Sequence, residues 1–262
     1  MSFDILEGIN NQPEGLSISD KFDRNKINIA QVVTDDKKAF VYLENNDKRK
    51  VESKSSKTRI EPLIAYKGDR NLIYITGPSG AGKSIIAAEF AQQYKALNKH
   101  NRIFYCCSTD IKDDRTWGEL DFVTPIDICK IYSENMDQEE EREMIKKLFG
   151  NSLIVFDDLD MMPKEKKKVM TRFQGKIIEV GRKYEVNAIV ISHIVCGGQN
   201  TKMILNECSL YITFKGMIKG NRLLKHYKGF SDYQLESINA PSWCAFNFRY
   251  NCILTSQWVK RI

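Results

Sequence analysis

Short apolar runs alternate along this chain with longer stretches whose apolar residues recur at helical spacing. LIYIT (72–76), RIFYCCS (102–108), SLIVF (152–156), NAIVIS (187–192) and LYITF (210–214) are too short for helices and apolar at almost every position. That is the pattern of strands buried on both faces. Between them, Lys83 to Leu97 spaces Ile85, Ile86, Phe90 and Tyr94 as a helix does; QEEEREMIKKLF reads as a charged amphipathic helix and PKEKKKVMTRFQGKIIEVGRKY as a long helical stretch. DICKIYS (127–133) reads as one more strand. Strands alternating with helices in this order predict an α/β fold, a mostly parallel sheet flanked by helices.

The ends of the chain depart from that rhythm. INIAQVV and AFVYLE flank the turn-like Asp35, Asp36, Lys37 and Lys38 and predict a small hairpin; DKRKVESKSSKTR, charged and poor in anything that buries, reads as a linker or mobile arm. The expected division is therefore an N-terminal β or irregular appendage over 1–61 and a main domain over 62–262, beginning near Pro62. After the turn-prone Asn239 and Pro241, WCAFNFR and CILTSQWV predict a closing antiparallel β pair with Tyr250 and Asn251 in its turn.

Composition narrows the picture a little further. A chain of 262 residues can bury a core without covalent staples. Seven cysteines, an odd number that includes the adjacent Cys106 and Cys107, suit a reducing compartment better than a secreted disulfide framework. No apolar run approaches the ~20 residues a spanning helix needs, and MSFDILEGIN lacks the basic start of a signal peptide, so a soluble cytosolic protein is expected. The net charge of +6 permits a polyanionic partner, and a solvated surface explains it equally well.

The chemistry concentrates in three places. GPSGAGKS, Gly77–Pro78–Ser79–Gly80–Ala81–Gly82–Lys83–Ser84, satisfies the phosphate-binding loop pattern and lies between an expected strand and an expected helix. Its glycines let successive N–H groups converge on phosphate oxygens, the helix adds its positive end, Lys83 would reach the β- and γ-phosphates of ATP, and Ser84 would hold Mg²⁺. SLIVF ends on Asp157 and Asp158, at the strand end where open α/β sheets bind ligands. Asp157 is expected to hold Mg²⁺ through a coordinated water, and Asp158 to orient or deprotonate the attacking water; the alternative is an Asp pair that only caps the next helix. NAIVIS ends on Ser192 and is followed by His193, a polar tip that would sense the γ-phosphate unless it is simply a hydrogen-bonded structural histidine.

Taken together, GPSGAGKS, LIVFDD and GRKYEVNAIVISH followed by NTKMILNECSLYITF resemble the FtsK–HerA superfamily of DNA-pumping ATPases, and within it the packaging ATPases of large cytoplasmic DNA viruses and virophages. The resemblance runs from about Asn71 to the C-terminus. It implies an ASCE or RecA-like P-loop NTPase, with Lys83, Asp158 and His193 as catalytic groups, Ser84 and Asp157 as metal ligands, and Arg182, in the Gly-Arg position, as an arginine finger given to a neighbouring subunit. Arg172 is the alternative finger, and Arg182 as a plain exposed helix-end residue is the alternative to both. Many members have Glu where this chain has Asp158, and Gln where it has His193.

The resemblance also implies an ATPase that translocates double-stranded DNA into a preformed viral capsid. It would work as a homo-oligomeric ring, pentamer or hexamer, against a capsid or portal-vertex protein, in the host cytoplasm or viral factory and in association with the virion. Segregation or conjugation pumps share the motifs; a small-molecule P-loop kinase or a non-hydrolysing scaffold are the readings from other classes. Basic candidates for DNA contact are Lys112 with Arg115, the run from Lys164 and the segment Lys215–Lys228, each of which also reads as a solvated face; the arm from Lys48 to Arg59 reads as a docking element for a capsid or for DNA.

Overall fold

A computed structural model describes residues 16–19, 21, 27–34, 38–43, 50–52, 59–63, 70–108, 110–133, 135–193, 199–218, 221–238, 240 and 242–261. Asp35, Asp36 and Lys37 of the expected turn, and the turn-prone Asn239 and Pro241, lie outside them. Contacts divide the chain into two compact units, one of Met1–Lys67 with Ser209–Ile262 and one of Gly68–Cys208.

The first unit opens with β1 (Leu16–Ser19), β2 (Ile27–Val33), β3 (Lys38–Leu43), β4 (Lys50–Glu52) and β5 (Arg59–Pro62). The expected hairpin is β2 with β3, antiparallel, widened by β1 beyond β3 and β5 beyond β2. Ile29, Ala30, Val32, Val41, Tyr42 and Ile60 are buried here, and the buried Gln31 amide donates to Glu61 at 2.6 Å, so the polar residue inside is partnered. The stretch expected as an arm supplies β4, and its last residue, Arg59, opens β5. Its one apolar position, Val51, is too little to reveal a strand in sequence, and pairing with neighbours settles the matter.

The second unit carries β6 (Leu72–Thr76), α1 (Lys83–Leu97), β7 (Arg102–Cys106), β8 (Val123–Pro125), α2 (Gln138–Met144), β9 (Ser152–Phe156), α3 (Lys164–Val180), β10 (Asn187–Ser192) and α4 (Gln199–Glu207). Among the described residues its five strands are all parallel, in the order β6-β10-β9-β7-β8. Every residue of β6 and β9 is buried, as their unbroken apolar runs require. Helix α2 starts on a reciprocal cap, in which Asp137 accepts from the Glu140 N–H and Glu140 accepts from the Asp137 N–H. Helix α3 buries Met170, Phe173, Ile177 and Ile178; the Phe173 ring centroid lies 5.3 Å from Phe149 and 6.0 Å from Phe156, fixing the helix on the sheet.

DICKIYS is not a strand. Ile128–Lys130 forms a single tight turn because Asp127 Oδ1 accepts from the Cys129 N–H at 3.1 Å, an alternative to ladder bonding that Asp offers its own backbone. The strand of this region is β8, a few residues earlier.

The first unit resumes with β11 (Leu210–Phe214), α5 (Arg222–Lys228), α6 (Asp232–Glu236), β12 (Trp243–Asn247), β13 (Cys252–Thr255) and β14 (Trp258–Arg261). β12 and β13 are the expected pair, with Asn251 at φ 52° in their turn. The pair is part of a larger antiparallel meander, β11-β12-β13-β14-β4. CILTSQWV breaks into two strands because Thr255 Oγ1 accepts from the N–H groups of Gln257 and Trp258 at 3.2 and 3.1 Å, which turns the chain. Among the described residues no helix is long and apolar enough to cross a membrane.

Candidate functional site

In the second unit the strands β6, β10 and β9 run in register, pairing Thr76 with Ser192 and Phe156 with Val190, so all three end on the same side of the sheet. The segments just beyond these three strand ends therefore meet in space: the glycine loop after β6, Asp157 and Asp158 after β9, and Ser192 with His193 at the tip of β10. Strand β10 is inserted between β6 and β9, leaving a gap of one strand between the loop and the acidic tip.

The loop is built for a polyanion. Gly80 (φ 73°) and Gly82 (φ 94°) occupy left-handed backbone that residues with a Cβ adopt at a cost, and a Cβ on either would meet open space, not protein. The chain enters helix α1 at Lys83, where the first-turn N–H groups have no intrahelical acceptor and the helix dipole is positive. The Gly77 N–H donates to the Ser192 carbonyl at 3.4 Å, tying the start of the loop to the tip of β10.

Five side chains converge on this cradle. Ser84 Oγ donates to Asp157 Oδ2 at 3.3 Å. Lys83 Nζ donates to the Pro78 carbonyl at 3.0 Å and lies 3.2 Å from His193 Nδ1, while His193 Nε2 lies 2.7 Å from Asp158 Oδ1. Because an ammonium only donates, His193 Nδ1 accepts, and the ring proton belongs on Nε2, facing the Asp158 carboxylate. Asp158 itself sits at φ 51°, ψ 33°, a left-handed conformation that a non-glycine residue holds under strain.

Burial governs the charges. It pushes the Asp157 carboxyl up to about 6, helped by the neighbouring Asp158 charge and opposed by the Tyr105 and Ser84 hydrogen bonds. Burial likewise lowers Lys83 against the attraction of Asp158 and Asp157. An acidic pair whose members repel, faced by a desolvated ammonium, is short of positive charge, and the donor set of one hydroxyl and one carboxylate across a strand gap suits Mg²⁺ shared with phosphates.

Two residues absent from the sequence expectations join the site. The Tyr105 hydroxyl, from β7, donates to Asp157 Oδ2 at 3.2 Å, and burial and the Asp157 charge hold that phenol well above its ordinary range, so it remains a donor. Asp160 accepts from Ser192 Oγ at 3.0 Å and pairs with Lys167 Nζ at 3.2 Å, linking the tip of β10 to the basic start of α3. A tyrosine inside an apolar strand was the only signal for the first, since a buried hydroxyl needs a partner; Asp160 carried none.

The two arginines are elsewhere. Arg182 is exposed in the turn Gly181–Tyr184 that leads into β10, at the end of the strand opposite the site, about 16 Å away along the strand at ~3.3 Å per residue. Arg172 Nη2 and Nε bind Glu141 Oε1 at 2.6 and 3.1 Å. Gly181 has a packing reason for its place: a Cβ there would lie 3.3 Å from Arg70 Nη2, and Arg70 donates to the carbonyls of Ile177, Ile178 and Val186 around the end of α3.

A glycine loop between strand and helix, an acidic strand tip one strand away and a polar tip on the strand between them define a P-loop nucleotide-binding fold. No family model matches the chain. By sequence it is similar to uncharacterised protein V3 of Sputnik virophage, 31% identical over 176 residues, spanning 64% of this chain and 66% of that relative. By structure it is similar to the genome packaging NTPase B204 of Sulfolobus turreted icosahedral virus 2 bound to ATP-gammaS, at 12% identity and TM-score 0.44 over 71% of this chain and 96% of that one. A second structural neighbour is the pCW3 conjugation coupling protein TcpA with ATPgS, at 13% identity and TM-score 0.42 over 75% of this chain and 68% of that one.

Proposed function

We propose that this protein is an ATPase of the FtsK–HerA type that pumps double-stranded DNA, and that its task is to fill a viral capsid with the genome from the host cytoplasm. The observation that carries the reading is the meeting of Ser84 Oγ and Asp157 Oδ2 at 3.3 Å, with Lys83, His193 and Asp158 linked beside them. Among the tasks open to such an ATPase, the virophage relative favours a viral one.

In this reading the loop Gly77–Ser84 binds the triphosphate of ATP, with its N–H groups on phosphate oxygens and Lys83 exchanging the Pro78 carbonyl and His193 for the β- and γ-phosphates. Mg²⁺, when bound by Ser84 and, through water, by Asp157, supplies positive charge to the phosphates. Asp158 accepts the proton of the attacking water, with the His193 ring 2.7 Å from its Oδ1. His193, released by Lys83 when phosphate enters, reports the state of the site to the tip of β10 and, through Ser192 and Asp160, to the basic start of α3. Arg182 lies away from its own site and is assigned to the site of the next subunit, which makes hydrolysis a property of a ring. Arg172 is occupied by Glu141, which favours Arg182 for the role.

The test is the ATPase rate with and without double-stranded DNA, for the wild type, Lys83→Ala, Arg182→Ala, Asp158→Ala and a mixture of the last two. DNA stimulation of the wild type, loss in each single variant and partial recovery on mixing are expected. Turnover indifferent to DNA would overturn the pump; two variants that stay inactive when mixed would overturn the shared site.

A further inference from the structure

Asp157 must point one oxygen toward the metal, and a carboxylate on a strand tip can rotate unless something holds it. Its backbone is held: β9 pairs with β7, placing Tyr105 opposite Val155 and Cys106 opposite Phe156, and the Asp157 N–H donates to the Cys106 carbonyl at 2.9 Å. Its side chain has two donors on the same oxygen, Ser84 Oγ at 3.3 Å and Tyr105 Oη at 3.2 Å. Ser84 has a second duty as a metal ligand, so its hydroxyl cannot serve Asp157 alone. The Tyr105 hydroxyl is no metal ligand in that reading; its other neighbour is the Cys107 side chain.

The tyrosine is also firmly placed. It is 2% exposed, and its ring centroid lies 4.8 Å from that of Trp117, a side chain with no exposed surface. It also forms part of the wall of a cavity of about 580 Å³ lined by Cys107, Ile126, Ile128, Cys129 and Met162. A rigid aromatic side chain with its hydroxyl on the carboxylate is the kind of arrangement by which outer groups fix the direction of a carboxylate that serves a metal.

We infer that Tyr105 is a positioning residue for the metal site, holding Asp157 in the rotamer that serves Mg²⁺. The inference rests on the assignment of Asp157 under the proposed function. It assigns Tyr105 no contact with nucleotide and no part in proton transfer.

Tyr105→Phe removes one oxygen and keeps the ring against Trp117. Binding of Mn²⁺ to the nucleotide complex, followed by electron paramagnetic resonance, is expected to weaken about 10-fold, the lower end of what loss of such an outer partner costs. Nucleotide affinity in EDTA is expected to stay as in the wild type, and the Mg²⁺ concentration for half-maximal hydrolysis to rise with the Mn²⁺ constant. In the Asp157→Asn background, Tyr105→Phe is expected to have no further effect on Mn²⁺ binding. Mn²⁺ affinity unchanged in a folded Tyr105→Phe, or metal and metal-free nucleotide affinity falling together, would overturn the inference. A wild-type measurement stands beside the variant should it not fold: emission of Trp117, obtained by difference against Trp117→Phe, is expected to change when Mg²⁺ joins the nucleotide complex, and emission indifferent to metal overturns the inference. A wild type that binds Mn²⁺ and nucleotide yet hydrolyses nothing counts against the proposed function and leaves the role of Tyr105 to the binding data.

Discussion

Lys83 Nζ rests 3.2 Å from His193 Nδ1, and the far nitrogen of the same ring faces Asp158 at 2.7 Å. The lysine that would bind phosphate is thus connected through one imidazole to the carboxylate that would activate water. In the proposed function an incoming phosphate would compete with His193 for Lys83, so the event that fills the site would also change the contacts of the ring.

His193→Ala is expected to lower kcat about 100-fold, in the range for loss of a group that orients a general base, while the nucleotide dissociation constant changes by less than about threefold. His193→Gln, whose amide presents an acceptor to Lys83 and an N–H toward Asp158, is expected to retain more activity than His193→Ala. Steady-state hydrolysis alongside fluorescent-nucleotide binding separates the two effects; equal losses in both parameters would count against the assignment.

Strain at Asp158 sets a second expectation. Its left-handed backbone is one that glycine holds freely, so Asp158→Gly is expected to stabilise the protein by about 1 kcal/mol, or roughly 2–4 °C in Tm for a chain of this size, while abolishing hydrolysis. Asp158→Ala, with the same loss of carboxylate and no relief of the backbone, is expected to show no such gain. Thermal scans of the three proteins without nucleotide decide the matter.

Glu141 is a structural carboxylate whose stability contribution depends on pH. Burial pushes its pKa up, but the Tyr132 and Arg172 hydrogen bonds and the charges of Arg172 and Lys176 outweigh it, and the net shift is downward. A folded pKa below the unfolded value means stability that is present above the unfolded carboxylate pKa, about 4.3, and is lost as pH falls through the lower folded value. Glu141→Gln is expected to cost about 1.5–3 kcal/mol at pH 7, the range for hydrogen bonds to a charged group, and progressively less as pH falls through the lowered folded pKa. Denaturant unfolding at pH 7 and across the acid range measures both.

The two arginines should separate by unfolding and hydrolysis measured side by side. Arg172→Ala removes the partner of a buried Glu141 and is expected to destabilise the protein; Arg182→Ala, exposed, is expected to stay within about 0.5 kcal/mol of the wild type while hydrolysis falls. An Arg182→Ala protein with full activity would remove it from consideration as a finger.

Gly181 offers a packing test. An added Cβ would meet Val186 Cβ at 3.2 Å and Arg70 Nη2 at 3.3 Å, and the guanidinium cannot yield without loosening its three carbonyl bonds. Gly181→Ala is expected to cost about 1–3 kcal/mol, as overpacking does, read by denaturant unfolding. A neutral result would show that Arg70 moves aside at little cost.

Whatever depends on neighbours along the chain could be read from the residues alone. The apolar runs placed β6, β7, β9 and β10, the loop glycines fixed where α1 begins, and the polar residues after each strand named Lys83, Ser84, Asp157, Asp158 and His193. Parallel strands share one C-terminal edge, so knowing the residues after each strand was enough to know which groups meet there. DICKIYS misled because Asp127 bonds its own backbone, and 50–52 and 59–62 misled because short strands owe their existence to partners far along the chain. It took the folded chain to show that Tyr105 reaches Asp157, that Asp160 bridges Ser192 and Lys167, that Arg172 belongs to Glu141, and that His193 stands between Lys83 and Asp158. Each of these is a side-chain contact across strands or helices, fixed by sheet order and packing, and no local pattern of residues encodes it.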